Sequence, residues 1–223
     1  MMKSIIVIAL LSIPVLLSAA DRPLFNGKNL DGWQIQGESN WTVRKDGTLV
    51  GLRDYRSNDE PFHAWPITEA AYHEWMYEQS WLYTKADFEE YDLHLEYWLP
   101  PGANSGVSIR DVSRGVHSFG LGPRETPAHI GYEIQVIDSK QDEKFKTGSV
   151  YLLAPAVGGV QYPDDWNKLD IESRRDAIRV RLNGTLVTEY PGDPSRPIRG
   201  PIGLQLHDRF TWIMFRNIRI REY

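Results

Sequence analysis

Short runs that alternate between apolar and polar residues are the feature that most limits how this chain can fold. The clearest runs are 92–99, 106–110, 132–137, 178–182, 186–190, 202–207 and 212–220. Gly, Pro, Asn and Asp separate them, and the pair Asn183-Gly184 between two of the runs is the strongest short hairpin signal. Short strands with one buried face and tight turns predict an antiparallel β-sandwich or barrel.

The N-terminus differs from the rest of the chain. Lys3 gives a positive start, residues 5–17 form an apolar run, and Ser18-Ala19-Ala20 supplies small residues. This order is typical of a secretory signal peptide, although a membrane anchor is the alternative. The apolar run falls short of the roughly 20 residues that a spanning helix needs. We therefore predict a signal peptide at 1–20, one mature domain at 21–223, and no membrane contact after cleavage.

Composition narrows the classes of function. The chain has no cysteine, which excludes disulfides and a lipid-modified cysteine at the cleavage site. Its net charge of −5 comes without a basic run, so nucleic acid is not a predicted partner. No nucleophile elbow, Gly-rich phosphate loop or His-Glu-x-x-His helix is present, and we predict no organic cofactor. The many Trp and Tyr rings suit either a core or a surface that stacks on sugars.

The segment 53–81 breaks the strand pattern. Its large rings are Phe62, Trp65, Tyr72, Trp75, Tyr77 and Trp81. A helix-like stretch follows Pro66. Two interpretations stay open: a short helical plug over one edge of the sandwich, or a lid that walls a pocket. We hypothesise that Trp65 and Trp75 belong to such a wall.

Strand parity singles out one set of polar residues. Because successive side chains of a strand point to opposite faces, four of the runs have one apolar and one polar face. The polar sides carry His94, Glu96, Trp98, Ser108, Arg110, Glu133, Gln135, Gln205 and His207. If the strands are neighbours, facing side chains lie roughly 5 Å apart. We predict one functional face from this set, with an ordinary solvated sheet face as the alternative.

Two features flank these strands. The Gly-punctuated loop 100–106 could present Asn104 and Ser105 beside the pocket, or could be an ordinary hairpin connection. Asp138 follows a strand and either orients a neighbouring group or caps a turn.

A divalent cation is an optional ligand of this face. His94 and Glu96 share one side of a strand, and His207 has the same polar setting. Imidazole and carboxylate groups together suit a divalent metal ion. A histidine that only makes hydrogen bonds is the alternative.

Several motifs in fixed order carry a resemblance to a known family. They are Leu24-Phe25-Asn26-Gly27-Lys28-Asn29-Leu30-Asp31-Gly32-Trp33, Gly102-Ala103-Asn104-Ser105-Gly106, Gly131-Tyr132-Glu133-Ile134-Gln135-Val136-Ile137-Asp138, Gly200-Pro201-Ile202-Gly203-Leu204-Gln205 and Phe215-Arg216-Asn217-Ile218-Arg219-Ile220. Over nearly the whole mature chain, this set resembles the 3-keto-disaccharide hydrolase domain family.

The resemblance implies an all-β, concanavalin A-like jelly roll of two antiparallel sheets in a periplasmic or secreted protein. It also implies activity on glycosides oxidised at C3. The family's polar residues fall at Glu96, Asn104, Arg110, Glu133, Gln135, Asp138 and His207. Two departures bear on substrate preference: the aromatic segment 53–81 is long, and Asp208 stands where many relatives have glycine.

A 3-keto glycoside can be cleaved by elimination, because the ketone acidifies the hydrogen at C2 and the enolate can expel the group at C1. This route needs a base at C2, an acid at the leaving oxygen and a group that stabilises the enolate. We predict Glu133 and His207 as base and acid in either order. Arg110 is the predicted enolate stabiliser, with a metal at His94 and Glu96 as an optional addition.

The remaining polar residues are predicted to bind substrate. They are Glu96, Trp98, Asn104, Ser105, Gln135, Asp138 and Gln205. Two other functions stay open, a non-catalytic carbohydrate-binding module and a conventional glycosidase that uses paired carboxylates. The sequence does not predict the linkage cleaved or the oligomeric state.

Overall fold

The computed structural model describes residues 20–53, 68–116, 126–138 and 143–223. The strands are β1 (Arg22–Pro23), β2 (Trp33–Gln36), β3 (Asn40–Val43), β4 (Leu49–Leu52), β5 (Ser80–Thr84), β6 (Tyr91–Trp98), β7 (Asn104–Ile109), β8 (Tyr132–Ile137), β9 (Asn167–Arg174), β10 (Ala177–Leu182), β11 (Thr185–Tyr190), β12 (Ile202–Leu206) and β13 (Trp212–Glu222). Two short helices are α1 (Glu69–Met76) and α2 (Pro127–Ile130).

The strands form two antiparallel sheets. The larger has eight strands in the order β11-β10-β9-β6-β13-β4-β3, with β1 paired to β13. The smaller has five strands in the order β2-β5-β12-β7-β8. Some neighbouring strands are consecutive in the chain, such as β7 and β8, but others, such as β6 and β13 or β5 and β12, are far apart in sequence, so the chain crosses between the two layers.

One apolar core lies between the sheets. Leu93, Leu95 and Ile171 come from the larger sheet, and Val107 and Leu204 come from the smaller one. All five side chains are buried, as strand alternation predicts. The predicted all-β sandwich of two antiparallel sheets is therefore confirmed.

The predicted hairpin is also confirmed. Strands β10 and β11 pair up to Leu182 and Thr185, which leaves Asn183 and Gly184 as a two-residue turn. Both turn residues have positive φ, 49° and 84°, and Asn and Gly tolerate this conformation better than other residues.

Helix α1 confirms the predicted helical stretch after Pro66. The Thr68 side chain accepts a hydrogen bond from the Ala71 amide, so it caps the first turn. Trp65 and the other residues at 54–67 lie outside the described part of the chain, as does the predicted signal peptide up to residue 19. Neither helix in the described ranges is long and apolar enough to cross a membrane.

Candidate functional site

The outer face of the five-stranded sheet brings together three of the predicted catalytic and binding residues, Glu133, Gln135 and Gln205. We call this surface the site face, and it consists of Trp81, Tyr83, Ser108, Glu133, Gln135 and Gln205. Each alternates with an apolar neighbour such as Leu82, Val107 or Leu204 that enters the core. Strand parity thus places the polar set on one side of β5, β12, β7 and β8.

The register of the strands arranges the site face in two rows. Glu133 pairs with Ser108, Ser108 with Gly203, and Gly203 with Tyr83. The second row runs from Gln135 through Gly106 to Gln205 and Trp81. Gln135 pairs with Gly106 and Gln205 pairs with Trp81, while Gly106 lies beside the Gln205 side chain. Each row therefore has a glycine near its middle.

Both glycines leave room for a neighbouring side chain. A Cβ on Gly106 would lie 2.8 Å from Glu133 Oε1 and 3.2 Å from Gln205 Oε1. A Cβ on Gly203 would lie 2.4 Å from Tyr83 Cε1. The carboxyl group of Glu133 thus lies over the backbone of Gly106, and any larger residue there would displace it.

Glu133 supplies the carboxyl group of the site face, and the pKa of this group is strongly shifted. Its side chain is only 4% exposed. Burial raises the pKa of the Glu133 carboxyl to about 8; the amide of Gln205 opposes the rise and the charge of Asp111 adds to it. A carboxyl group with this pKa can hold or release its proton near neutral pH, as a general acid or base must.

Two side chains beside Glu133 have unused hydrogen-bonding atoms. Gln205 is buried, and among the described residues neither its Oε1 nor its Nε2 has a well-aligned hydrogen-bond partner. The buried hydroxyl of Ser108 makes no well-aligned hydrogen bond within the same ranges. Buried polar atoms are nearly always paired, so these atoms mark a place where a ligand or water would be favoured.

The carboxylate of Asp111 lies beneath one end of the site face. Its hydrogen bonds hold both Tyr83 and the segment 111–116, which covers this end of the face. The Tyr83 hydroxyl donates to Asp111 Oδ2 at 2.8 Å, and the amide of Gly115 donates to the same oxygen at 2.7 Å. Ser113 donates to Asp111 Oδ1 through its amide and its hydroxyl. Hydrogen bonds to Asp111 therefore hold residues 111–116 over this end of the site face, and we call this segment the cover. Its Gly115 packs against the Trp81 ring.

Tyr151 lies near Glu133 on the open edge of the sheet. Its amide donates to the Glu133 carbonyl oxygen at 2.8 Å, which attaches the segment 147–154 to β8. Burial, followed by the charges of Glu133 and Glu143, raises the pKa of the Tyr151 hydroxyl. The hydroxyl therefore stays protonated and can act as a donor near the catalytic candidate.

His207 directly follows Leu206, the last residue of β12. Its ring meets the edge of Tyr77 at 5.9 Å, and Nδ1 lies 3.5 Å from Asp208 Oδ2. Burial alone would raise the pKa of Asp208, but contacts with His207, Thr211 and the Phe210 amide lower it overall. Nearby, the Oδ1 atom of Asn104 is buried without a partner.

The prediction that His94, Glu96 and Trp98 share this face is wrong. All three lie on β6, and their side chains cover the outer face of the eight-stranded sheet, on the opposite side of the sandwich. His94 Nδ1 contacts Asp170 at 2.6 Å. Arg216 Nε donates to Glu96 Oε2 at 2.6 Å. Parity distinguishes the inside of a sandwich from its outside but not one outer face from the other.

These partners also bear on the metal prediction. His94 and Glu96 are each occupied by an ion-pair partner and lie on the other sheet from His207. Across the described ranges, no group of three or more His, Cys, Asp or Glu residues is placed to hold a metal ion. The residues predicted as ligands therefore do not fit one shared cation.

Arg110 is also displaced from its predicted position. Its φ of 61° turns the chain at the end of β7, and the side chain enters the sandwich, where it is buried. Nη2 donates to Ser173 Oγ at 2.8 Å and to the Arg174 carbonyl oxygen at 2.6 Å. Arg110 thus joins the two sheets, and its guanidinium does not reach the site face.

Two predicted binding residues have local structural contacts instead. Ser105 lies on the core side of β7, where its hydroxyl donates to the Gln205 carbonyl oxygen at 2.7 Å. Asp138 is exposed and accepts a hydrogen bond from the Gly102 amide at 2.6 Å. Each positions backbone near the site face without adding a side chain to it.

Sequence reasoning did not assign Trp81, Tyr83 or Asp111 to the site. The alternation of residues 80–84 could have placed the two rings on one face, since Leu82 lies between them. Nothing in the local sequence indicates that Asp111 accepts four hydrogen bonds, because its donors come from another strand and from the following turn.

Comparison with solved structures agrees with this architecture. A protein named a putative glycosyl hydrolase from Parabacteroides distasonis is 25% identical to the chain, with a TM-score of 0.65 over 92% of this chain and 100% of that one. A second protein of that name and organism is 19% identical, with a TM-score of 0.62 over 90% and 92%. The carbohydrate-binding module CBM66 of Bacillus subtilis is 15% identical, with a TM-score of 0.54 over 86% and 96%.

The fold is a β-sandwich of jelly-roll type. No curated protein matches the chain at a significant level of sequence similarity. A family model for 3-keto-alpha-glucoside-1,2-lyase-like domains matches residues 20–221. The chain belongs to that family, as its motifs predicted.

Proposed function

We propose that this protein cleaves the glycosidic bond of 3-keto glycosides, including 3-keto disaccharides, by elimination at C1 and C2. The observation that carries the proposal is Glu133, a buried carboxyl group with a pKa of about 8 beside unpaired hydrogen-bonding atoms. A non-catalytic sugar-binding site has no need of an acid-base group at such a position. Membership of the 3-keto-glucoside lyase-like family supports the same chemistry.

The reaction proceeds in two balanced stages. A base removes the proton at C2, and the electron pair of that bond forms an enolate with the C3 oxygen. The enolate then expels the C1 substituent, which leaves as an alcohol after it receives one proton. Water adds to the resulting C1–C2 double bond, with hydroxyl at C1 and hydrogen at C2. The net result is hydrolysis to an alcohol and a 3-keto sugar.

Glu133 and His207 are the proposed acid-base pair. The raised pKa makes the Glu133 carboxylate a stronger base than an exposed glutamate, and makes its protonated form available as an acid near neutral pH. His207 stands at the end of the same sheet with Asp208 beside Nδ1. Their order stays open in the proposal.

The enolate requires donors other than Arg110, whose side chain is buried between the sheets. Gln205 Nε2 and Ser108 Oγ are the proposed replacements, because both are buried next to Glu133 and neither makes a well-aligned hydrogen bond within the described part of the chain. Donors that are already fixed in a water-poor site stabilise developing charge well. A substrate ketone oxygen between them would also satisfy two unpaired groups.

The test is turnover of a 3-keto disaccharide in heavy water. Elimination predicts that product formed in D2O carries deuterium at C2, because hydration adds solvent hydrogen at that carbon. Glu133→Gln removes the acid-base group at nearly constant volume and should lower turnover roughly 10²–10⁴-fold. Glu143→Gln, an exposed change beyond the same edge of the sheet, serves as the control.

Three results would count against the proposal. Product that retains the original C2 hydrogen would indicate direct displacement at C1. Cleavage of unoxidised disaccharides at a similar rate would indicate a conventional glycosidase. Retention of sugars without any product would indicate a carbohydrate-binding module.

A further inference from the structure

A cavity that is separate from the site face lies at the end of the sandwich, beside the loop that joins β12 to β13. Its volume is about 410 Å³. The residues that line it are Leu52, Arg53, Arg209, Phe210, Thr211 and Trp212. None of them belongs to the site face, although the loop begins at His207 and Thr211 Oγ1 lies 3.5 Å from the Asn104 amide. The size falls within the ~300–1,000 Å³ typical of ligand pockets.

Two exposed aromatic rings of this cavity, Phe210 and Trp212, each pack against a second aromatic ring. Phe210 is 62% exposed, and its ring stands on the edge of the buried Trp75 at 6.1 Å between centroids. Trp212 is 39% exposed and lies 5.0 Å from Trp98 at an angle of 30°. Rings that are exposed yet fixed by a second ring present apolar faces with little freedom to lose on binding.

The loop itself is rigidly built around Asp208. Its carboxylate accepts hydrogen bonds from the amides of Phe210 and Thr211, both at 2.8 Å, and from the Thr211 hydroxyl. These bonds set the direction in which the Phe210 side chain leaves the backbone. The residue that stands where many relatives have glycine therefore positions one of the two rings.

Arg53 adds unpaired donors to the aromatic rings. Its side chain is buried, and Nη1 donates to the Glu78 carbonyl oxygen at 2.6 Å. Among the residues that the structure describes, Nε and Nη2 have no hydrogen-bond acceptor, although Nη2 lies 3.9 Å from Glu78 Oε2. A buried guanidinium group with two free nitrogen atoms would be favoured by a ligand oxygen that reaches it.

The charge around Arg53 argues for a neutral ligand. Arg209 is its cationic neighbour, while Glu38, Glu78 and Asp208 are the surrounding carboxylates. Arg209 contacts Glu38 at 2.9 Å and Glu78 at 2.6 Å, so these charges already compensate one another. Among the residues that the structure describes around Arg53, three carboxylates accompany two guanidinium groups, so these residues supply no excess positive charge for an anion.

We propose that this cavity is a subsite for a neutral sugar ring. The apolar C–H face of the sugar would stack on Phe210 or Trp212, and its hydroxyl oxygens would accept from Arg53. Trp98, on which Trp212 packs, lies on the opposite side of the sandwich from the site face, so this sugar site is separate from the site face. Sugar binding in the cavity does not depend on the proposed cleavage reaction.

The test uses unoxidised sugars, so that binding is measured without turnover. Cellobiose is titrated into the protein while the indole N–H resonance of Trp212 is followed by NMR. We expect this resonance to shift, and expect Phe210→Ala to weaken binding about five- to tenfold, as for the loss of one stacking ring. Tyr162→Ala, an equally exposed aromatic change on another loop, should leave the affinity unchanged.

A uronate disaccharide of the same size separates charge from stacking. The proposal predicts weaker binding of this anion than of cellobiose at low salt. Stronger binding of the uronate would overturn it in favour of an anion site, and equal affinity of wild type and Phe210→Ala would overturn it outright. Absence of any shift at Trp212 up to the solubility limit of cellobiose would do the same.

Discussion

Replacement of Glu133 by glutamine should change how stability depends on pH. In the folded protein burial raises the pKa of Glu133 to about 8, from an ordinary value of 4.5. Below pH 4.5 the carboxyl group is protonated whether the chain is folded or not, so its burial does not lower the free energy of unfolding there. Between these values the unfolded chain releases the proton that the folded protein retains, and stability falls as pH rises.

The expected size follows from the interval between the two pKa values. It spans about 3.5 pH units, each worth ~1.36 kcal/mol for one proton, so the full loss reaches about 5 kcal/mol above pH 8. Glutamine keeps the shape of the side chain but cannot ionise. Glu133→Gln should therefore remove this part of the pH dependence and become the more stable protein at alkaline pH.

Urea unfolding followed by tryptophan fluorescence at several pH values between 4 and 9 measures the effect. The informative quantity is the difference between wild type and variant, since all other titrating groups cancel in it. Glu143→Gln, whose side chain is exposed, should run parallel to wild type. If Glu133→Gln also runs parallel to wild type across this range, the carboxyl group is not protonated by burial and the acid-base argument fails.

Three further predictions rest on other parts of the molecule. Arg110→Met should lower the free energy of unfolding by about 2–4 kcal/mol, measured by urea denaturation, because its buried bonds to Ser173 join the sheets; unchanged stability would contradict this role. Gly106→Ala should lower turnover at least ~10-fold while the melting temperature changes little, because the new methyl group displaces the Glu133 carboxyl; normal turnover would refute that placement. Export should cleave the chain after Ala20, and N-terminal sequencing of exported protein that begins at Met1 would contradict it.

Much of the fold follows from local patterns. Alternation predicted β6, β7, β8 and β12 because each of these strands carries apolar side chains on one face and polar side chains on the other. The two-residue turn at Asn183-Gly184 set the register of its hairpin. These features depend on residues close together in sequence.

The candidate site was predicted only in part, for a geometric reason. Glu133, Gln135 and Gln205 share a face because their strands belong to the same sheet. His94 and Glu96 have the same parity but lie on the other sheet, and strand order is a long-range property that alternation does not encode. Arg110 was misplaced because a single left-handed residue reverses the direction of its side chain.

The cover formed by residues 111–116 has a kinetic consequence. Asp111 receives hydrogen bonds from the sheet through Tyr83 and from the cover through Ser113 and Gly115. Lifting the cover would leave a buried carboxylate without several of its donors, which makes opening a rare event. The amide protons of Ser113 and Gly115 should then exchange with solvent as slowly as those of the neighbouring strands.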